Sequence, residues 1–226
     1  MNLVQLRAEL EADQTWRRDE IRFFQNQAAK LDTTERSNSF QRVLILLLYA
    51  HFEGFSRFAL TLYVNAVNGT GMTCGEANSA IAAASLANLF RDLRDPQHKS
   101  EEFRRDLPDD TKLHRFARDR EFIERVTDFT IRPVNIPDHV VDTESNLNPI
   151  VLRKNLYRLG LPYDLFKDFD KQLHQLLGYR NQIAHGERQW GIEHKTYESL
   201  RDATFAIMDE ITREIMRALQ EKRYQR

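Results

Sequence analysis

The segment from about Thr34 to Val67 sets the strongest limit on what this chain folds into. Its centre, Val43 to Val64, is apolar on nearly every side of a helix. A helix without a polar face has to be buried, as the inner helix of a bundle is. Asn68-Gly69-Thr70-Gly71 supplies its end. Punctuation elsewhere is sparse. With 8 Gly and 6 Pro in 226 residues, long helices are favoured over many short strands. Hydrophobic residues at 41% and charged residues at 30% allow a sizeable core, in one domain or a domain with an insertion.

Three further core helices follow from apolar spacing. Leu3, Leu6, Leu10, Ile21, Phe24, Ala28 and Leu31 predict an amphipathic helix over about 2–31, with a polar middle expected to kink or lie exposed. Phe166, Phe169, Leu173, Leu176/Leu177, position 180 and Ala184 mark one face of a helix over about Tyr163–His185. Leu200, Thr204, Ile207, Ile211, Ile215 and Leu219 do the same over about 194–222. The expected architecture is all-α: a single domain over 1–226 with an antiparallel four-helix core (2–31, 34–67, 163–185, 194–222). An insertion over about 70–162 carries additional helices between the second and third core helices. Within it, 73–132 reads as two helices joined by a polar connection near Asp95–Asp110, because Pro96 and Pro108 break a continuous one. Residues 133–148 read as a loop with a short strand at His139–Val141. Asn148-Pro149 then starts a helix that stops at Gly160, with Pro162 beyond.

Several classes of function are disfavoured. The net charge is -1, so no chain-wide basic field exists for nucleic acid. The charge-dense stretch Arg91–Arg132 balances acids against bases and reads as a solvated helical surface. Cys74 is the only cysteine, which rules out an internal disulfide and a cysteine-based zinc site. The first residues become charged too soon for a signal peptide, and the strongly apolar run Val43–Ala50 is short for a membrane span. A cytoplasmic protein without a membrane partner is the expectation.

Chemistry concentrates in Arg180-Asn181-Gln182-Ile183-Ala184-His185-Gly186. Arg180 occupies a position where the inner stripe calls for an apolar side chain, and a buried guanidinium needs partners. It is either half of a structural ion pair or part of a binding site. His185 falls in the last helical turn before a capping Gly186, where the helix dipole favours its protonated form. Asn181, four residues before His185, shares its face and is placed to orient the ring. A permanent cation, an amide and a base that titrates near neutrality suit phosphodiester chemistry. RNA carries its own nucleophile, the 2′-hydroxyl, so neither a metal nor another cofactor is required. Arg followed by His at similar spacing recurs at Arg91/His98, Arg132/His139 and Arg188/His194, so the spacing alone selects nothing. Only Arg180–His185 combines an adjacent Asn, a terminal Ala-His-Gly and an apolar helix leading into it. Upstream, Glu53 lies in the most apolar helix. It either pairs with Arg57 one turn on, or faces Arg180 or His185 across the bundle and supports them. His51 reads as a satisfied core residue rather than a catalyst.

Tyr179-Arg180-Asn181-Gln182-Ile183-Ala184-His185-Gly186-Glu187 resembles the signature of the HEPN superfamily of helical domains. Three further stretches are similar to its MAE-like subgroup: Leu46-Leu47-Leu48-Tyr49-Ala50-His51-Phe52-Glu53-Gly54-Phe55, Asn146-Leu147-Asn148 and Leu159-Gly160-Leu161. The resemblance spans about 40–187. It implies a four-helix core, usually in a homodimer with the motif at the cleft between protomers, and metal-independent RNA cleavage leaving a 2′,3′-cyclic phosphate. By position, Arg180 and His185 become the catalytic pair and Asn181 the polar residue beside the arginine. Such domains often serve as toxins, with an antitoxin partner, or in antiviral defence. Some HEPN toxins carry, two residues after the histidine, a tyrosine that a partner antitoxin modifies; here that position is Glu187, so this route is not expected. The resemblance leaves two other readings open: a non-catalytic nucleotide- or RNA-binding module, and a structural adaptor in which Arg180 and Glu53 form a buried pair.

Overall fold

The computed structural model describes residues 2–30, 34–100 and 110–226. Within them run α1 (Leu3–Ala28), α2 (Thr34–Asn68), α3 (Ser79–Ser85), α4 (Ala87–Arg94), α5 (Thr111–Thr127), α6 (Pro149–Arg158), α7 (Asp170–Ala184) and α8 (His194–Gln220). The described residues contain no strand, only isolated bridges at Thr73–Pro133 and Ala77–Gln225. The all-α reading holds.

Helix α2 is the axis of the molecule. It packs on α1, α7 and α8, with its most extensive contact to α8. Ile45, Leu48, Phe52, Phe55, Leu60, Tyr63 and Val67 are all buried along it. One strip, with Val43 and Ala50, stays open. By length and composition α2 could cross a membrane, but more than half of its most apolar stretch is buried inside the bundle. The start of α7 packs against the later half of α2, and its end against the earlier half, so the two run antiparallel. α1 is likewise antiparallel to α2 and α8: its Glu20 meets His51, and its Arg18 meets Asp209.

Four features differ from the expectation, each for a physical reason. α1 is unbroken over its 26 residues; its polar middle stays exposed or half-buried, with Gln14 turned inward. Gln14 Nε2 donates to Asp209 on α8 at 2.7 Å, and Arg17 pairs with Asp13 at 2.6 Å. Leu31, expected on the first helix, lies outside the described residues. The helix expected from Tyr163 begins at Asp170 instead, after turns that swing Phe166 into the core. The short strand expected at His139–Val141 is one turn of 3-10 helix, Asp138–Val140, entered from Pro137. With no neighbouring strand, an extended segment there would leave its main-chain groups unpaired. The stretch 73–132 holds three helices among the described residues, because the chain turns at Leu86 between α3 and α4. Pro96 falls just after α4, while Pro108 lies outside the described residues.

The irregular stretch 132–148 is held by side-chain amides. Asn68, at the end of α2, accepts from the Ile136 amide at 2.8 Å and donates to the Ile136 carbonyl at 3.0 Å. Asn155, buried in α6, accepts from the Asp142 amide at 2.9 Å and donates to the Asp142 carbonyl at 2.7 Å. Each asparagine thus replaces a missing strand partner for one residue. Asn148 caps α6, accepting from the Ile150 and Val151 amides, with Pro149 in the first turn. Replacing Asn155 with Ala removes both hydrogen bonds to the Asp142 main chain, each contributing about 0.5–1.5 kcal/mol. Asn155→Ala is therefore expected to lower the denaturation midpoint clearly, whereas exposed Lys154→Ala should leave it nearly unchanged. Equal midpoints for the two variants would show that the clamp contributes nothing.

Candidate functional site

The end of α7 is where the sequence motif becomes a surface. Leu173 and Leu176 are buried, Arg180 is half-buried, and Ala184 and His185 are exposed. Ala184 therefore leaves the inner stripe on which its spacing had placed it. The bundle opens toward the helix end, and the stripe loses its cover there. His185 is the residue at which the helix stops, its amide donating to the Asn181 carbonyl at 2.9 Å. Gly186 follows at φ +74°, in the left-handed region that favours glycine, and the Glu187 amide closes back on the Gln182 carbonyl at 2.8 Å.

Arg180 has no carboxylate partner among the described residues. Its Nη1 donates to Asn181 Oδ1 at 2.8 Å and to Asn146 Oδ1 at 3.0 Å. Its guanidinium lies 5.0 Å from the centre of the Tyr49 ring. Two neutral oxygens and a π face fix its position without cancelling its charge. The rest of the guanidinium makes no hydrogen bond to the described residues. Asn181 is thus spent on the arginine beside it, and no bond from its side chain to His185 forms. His185 is exposed at the helix end, five residues after this cation.

Asn146 and Tyr49 were not singled out from the sequence as partners of Arg180. The available signal was that each lies inside a stretch of family resemblance. Glu53 pairs with neither Arg57 nor Arg180 nor His185. It flanks Tyr49, whose hydroxyl is buried without a well-formed hydrogen bond. Burial first, and then the Glu53 carboxylate, push that hydroxyl up to about 12 against the opposing pull of Arg180. Tyr49 remains a neutral platform between an acid and a base. Beyond the motif, Arg188 stacks over Tyr179 at 4.6 Å and Trp190 at 5.5 Å, and donates to the Gly191 carbonyl at 3.0 Å.

His51 faces α1 instead. Its Nε2 is 2.7 Å from Glu20 Oε2, its Nδ1 is 3.4 Å from Arg17 Nη1, and its ring meets the edge of Trp16. Gly54 makes room for this group, since a Cβ there would come within 2.7 Å of the Arg17 guanidinium. Burial is the largest influence on His51 and holds it below the usual histidine range, although Glu20 pulls the other way. The folded chain therefore resists a proton that the unfolded chain accepts. Stability should be full above about pH 6.5 and fall as the pH drops from there toward the lowered value in the fold. Thermal midpoints measured from pH 7.5 to 5 should fall less steeply for His51→Gln than for the unaltered chain. Parallel curves would remove His51 from this account.

A family model described as HEPN_MAE_28990-like HEPN matches residues 6–224. Comparison with curated proteins and with solved structures gives no match. The match extends well beyond the 40–187 stretch of motif resemblance, taking in α1 and all of α8, the helices that complete the bundle around α2. With nearly every residue inside the matched span, the chain belongs to the HEPN_MAE_28990-like HEPN family.

Proposed function

We propose that this protein is a metal-independent endoribonuclease that acts as a toxin or antiviral defence effector. The observation that carries this reading is the state of Arg180. It is half-buried, held by amide oxygens, and left without an opposing carboxylate among the described residues, on a helix that ends at the exposed His185. A structural ion pair with Glu53 would neutralise it, and no such pair forms among the described residues. A cation kept unneutralised at this cost in desolvation is suited to a phosphate.

The chemistry follows from the groups present. Arg180 holds the scissile phosphate and stabilises the charge that builds on its non-bridging oxygens. His185 takes the proton from the 2′-hydroxyl as the 2′-oxygen bonds to phosphorus. The bond from phosphorus to the 5′-oxygen breaks, that oxygen is protonated, and a 2′,3′-cyclic phosphate remains. One imidazole cannot be base and acid in the same instant. A homodimer with the motifs facing across a cleft supplies the second histidine, and we include that assembly in the proposal, together with an antitoxin or other defence partner that restrains it. Asn146, Asn181 and Tyr49 act through Arg180 as positioning residues.

A second reading, a module that binds RNA without cleaving it, draws on one observation. The His185 imidazole has no orienting partner among the described residues. Binding that persists without turnover across a range of RNAs and pH values would favour it.

Purified protein is expected to cleave single-stranded RNA in EDTA and to leave cyclic phosphate ends. Arg180→Ala should lower the rate by about 10²–10³-fold, as loss of a charge-stabilising donor does. His185→Ala should lower it by about 10²–10⁴-fold, as loss of a general acid or base does. Both should leave the thermal midpoint nearly intact. Unchanged cleavage in the two variants would overturn the assignment. A monomer by light scattering at micromolar concentration would remove the two-protomer site, and growth arrest by the unaltered chain but not by His185→Ala would support the effector role.

A further inference from the structure

A spacious open cleft lies away from Arg180. It lies between α3, α4 and α6, has a volume of about 960 Å³, and falls in the size range of ligand sites. α3 and the start of α4 line it mostly with alanine. Its walls carry three cations or potential cations, Arg94, Arg158 and His139, and three rings, Phe90, Tyr157 and Tyr163. Arg94 rests over Phe90 at 5.5 Å, with no carboxylate partner among the described residues. Arg158 has neither an ion pair nor a hydrogen-bond partner among them. This contrasts with most arginines of the bundle, which pair with acids, as Arg17, Arg18, Arg153 and Arg223 do. The one carboxylate on the wall, Asp142, accepts from the Glu144 amide at 2.8 Å. The cleft is thus basic in a chain whose net charge is -1.

The two tyrosines are held in solvent. Tyr157 is 67% exposed and Tyr163 54%, and their rings meet edge to face with centroids 6.0 Å apart. They form the ridge between this cleft and a shallower one of about 270 Å³, lined also by Ile150, Arg153 and Lys154. That second cleft runs along α6 toward its first turn. There Asn148 caps the helix, two residues after the Asn146 that holds Arg180. The ten residues of α6, at 1.5 Å each, set the two ends of this path about 15 Å apart. Single-strand platforms typically hold about 4–16 nucleotides, which spans that distance.

We propose that this cleft is a subsite for single-stranded RNA, seating unpaired bases of the substrate on Tyr157 and Tyr163 and their phosphates on Arg94 and Arg158. It rests on the ribonuclease reading for its role as a substrate subsite, but the binding it predicts stands apart from cleavage. Rings with unpaired cations beside them match what single strands require: a π face for each base and a positive charge for the backbone. The small alanine side chains of the lining leave room for a base.

The test uses the full chain carrying His185→Ala, so that RNA survives, and reads fluorescence anisotropy with a labelled single-stranded dodecamer over a range of salt. Tyr157→Ala should weaken binding by about 5–100-fold, the loss of one stacked base, with the salt slope unchanged. Tyr157→Trp should restore it. Arg94→Ala combined with Arg158→Ala should weaken binding and reduce the slope of log affinity against log salt by about 1.4, two phosphate contacts at about 0.7 each. These side chains are exposed, so thermal midpoints should match the parent and any loss is one of contact. If the cleft variants bind as the parent does while the unaltered chain cleaves RNA, the subsite is wrong and the ribonuclease reading stands. If they lose binding while the unaltered chain cleaves nothing, the subsite stands and the ribonuclease reading falls. Duplex RNA bound with the same dependence on Tyr157 would also overturn the proposal, because paired bases cannot stack on those rings.

Discussion

The structure is organised around one helix that cannot face water. α2 presents apolar side chains around most of its circumference, and burying a large apolar residue contributes about 1.5–3 kcal/mol. Three other helices are needed to collect that stabilisation, and α1, α7 and α8 are those three. Everything between α2 and α7 then has to leave the bundle and return. It does so as α3 to α6 and an irregular crossing packed against the later half of α2. The position of the candidate site is a consequence. It forms where α7 runs out against the first half of α2, at the edge of the smaller of two apolar clusters.

The crossing segment explains how a loop residue reaches Arg180. A loop without strand partners has to satisfy its main chain elsewhere, or lose the stability of buried unpaired groups. Asn68 and Asn155 each bind both main-chain groups of one residue, at Ile136 and Asp142. Asn146 and Asn148 follow directly, one turned to Arg180 and the other to the start of α6. The same amide chemistry that holds the loop also holds the guanidinium. Because amides carry no net charge, Arg180 is positioned without being neutralised, which a carboxylate could not achieve. The Tyr49 ring completes the arrangement from α2.

How far the sequence could be read differs by feature. Helices with a regular stripe, such as α8, were legible to within a few residues because spacing alone sets which side is buried. The cap at Asn148-Pro149 was legible for the same kind of local reason. The false strand at 139–141 and the early start given to α7 came from local apolar content, which says nothing about whether a partner strand or a core position exists. The polar middle of α1 looks solvent-facing in isolation; Asp209 on α8 gives Gln14 and Arg18 partners inside the bundle, while Thr15, Trp16 and Asp19 stay exposed. Glu53 and Arg180 illustrate a different limit. Both positions stand out in the sequence, but whether they pair depends on helix rotation and side-chain reach, and Tyr49 stands beside both.

By itself the sequence determined the helical class, the burial of α2, the placing of Arg180 and His185 at a Gly-terminated helix end, and the likeness to HEPN domains. These rest on periodicity, caps and local motif, which act over a few residues. Only the tertiary structure decided that Arg180 is met by Asn146 and Tyr49 rather than by an acid, that His51 turns toward α1, and that Arg94, Arg158 and two tyrosines share a cleft. Those outcomes depend on contacts between residues far apart in the chain, and such contacts are set by how helices pack and not by what each segment prefers alone.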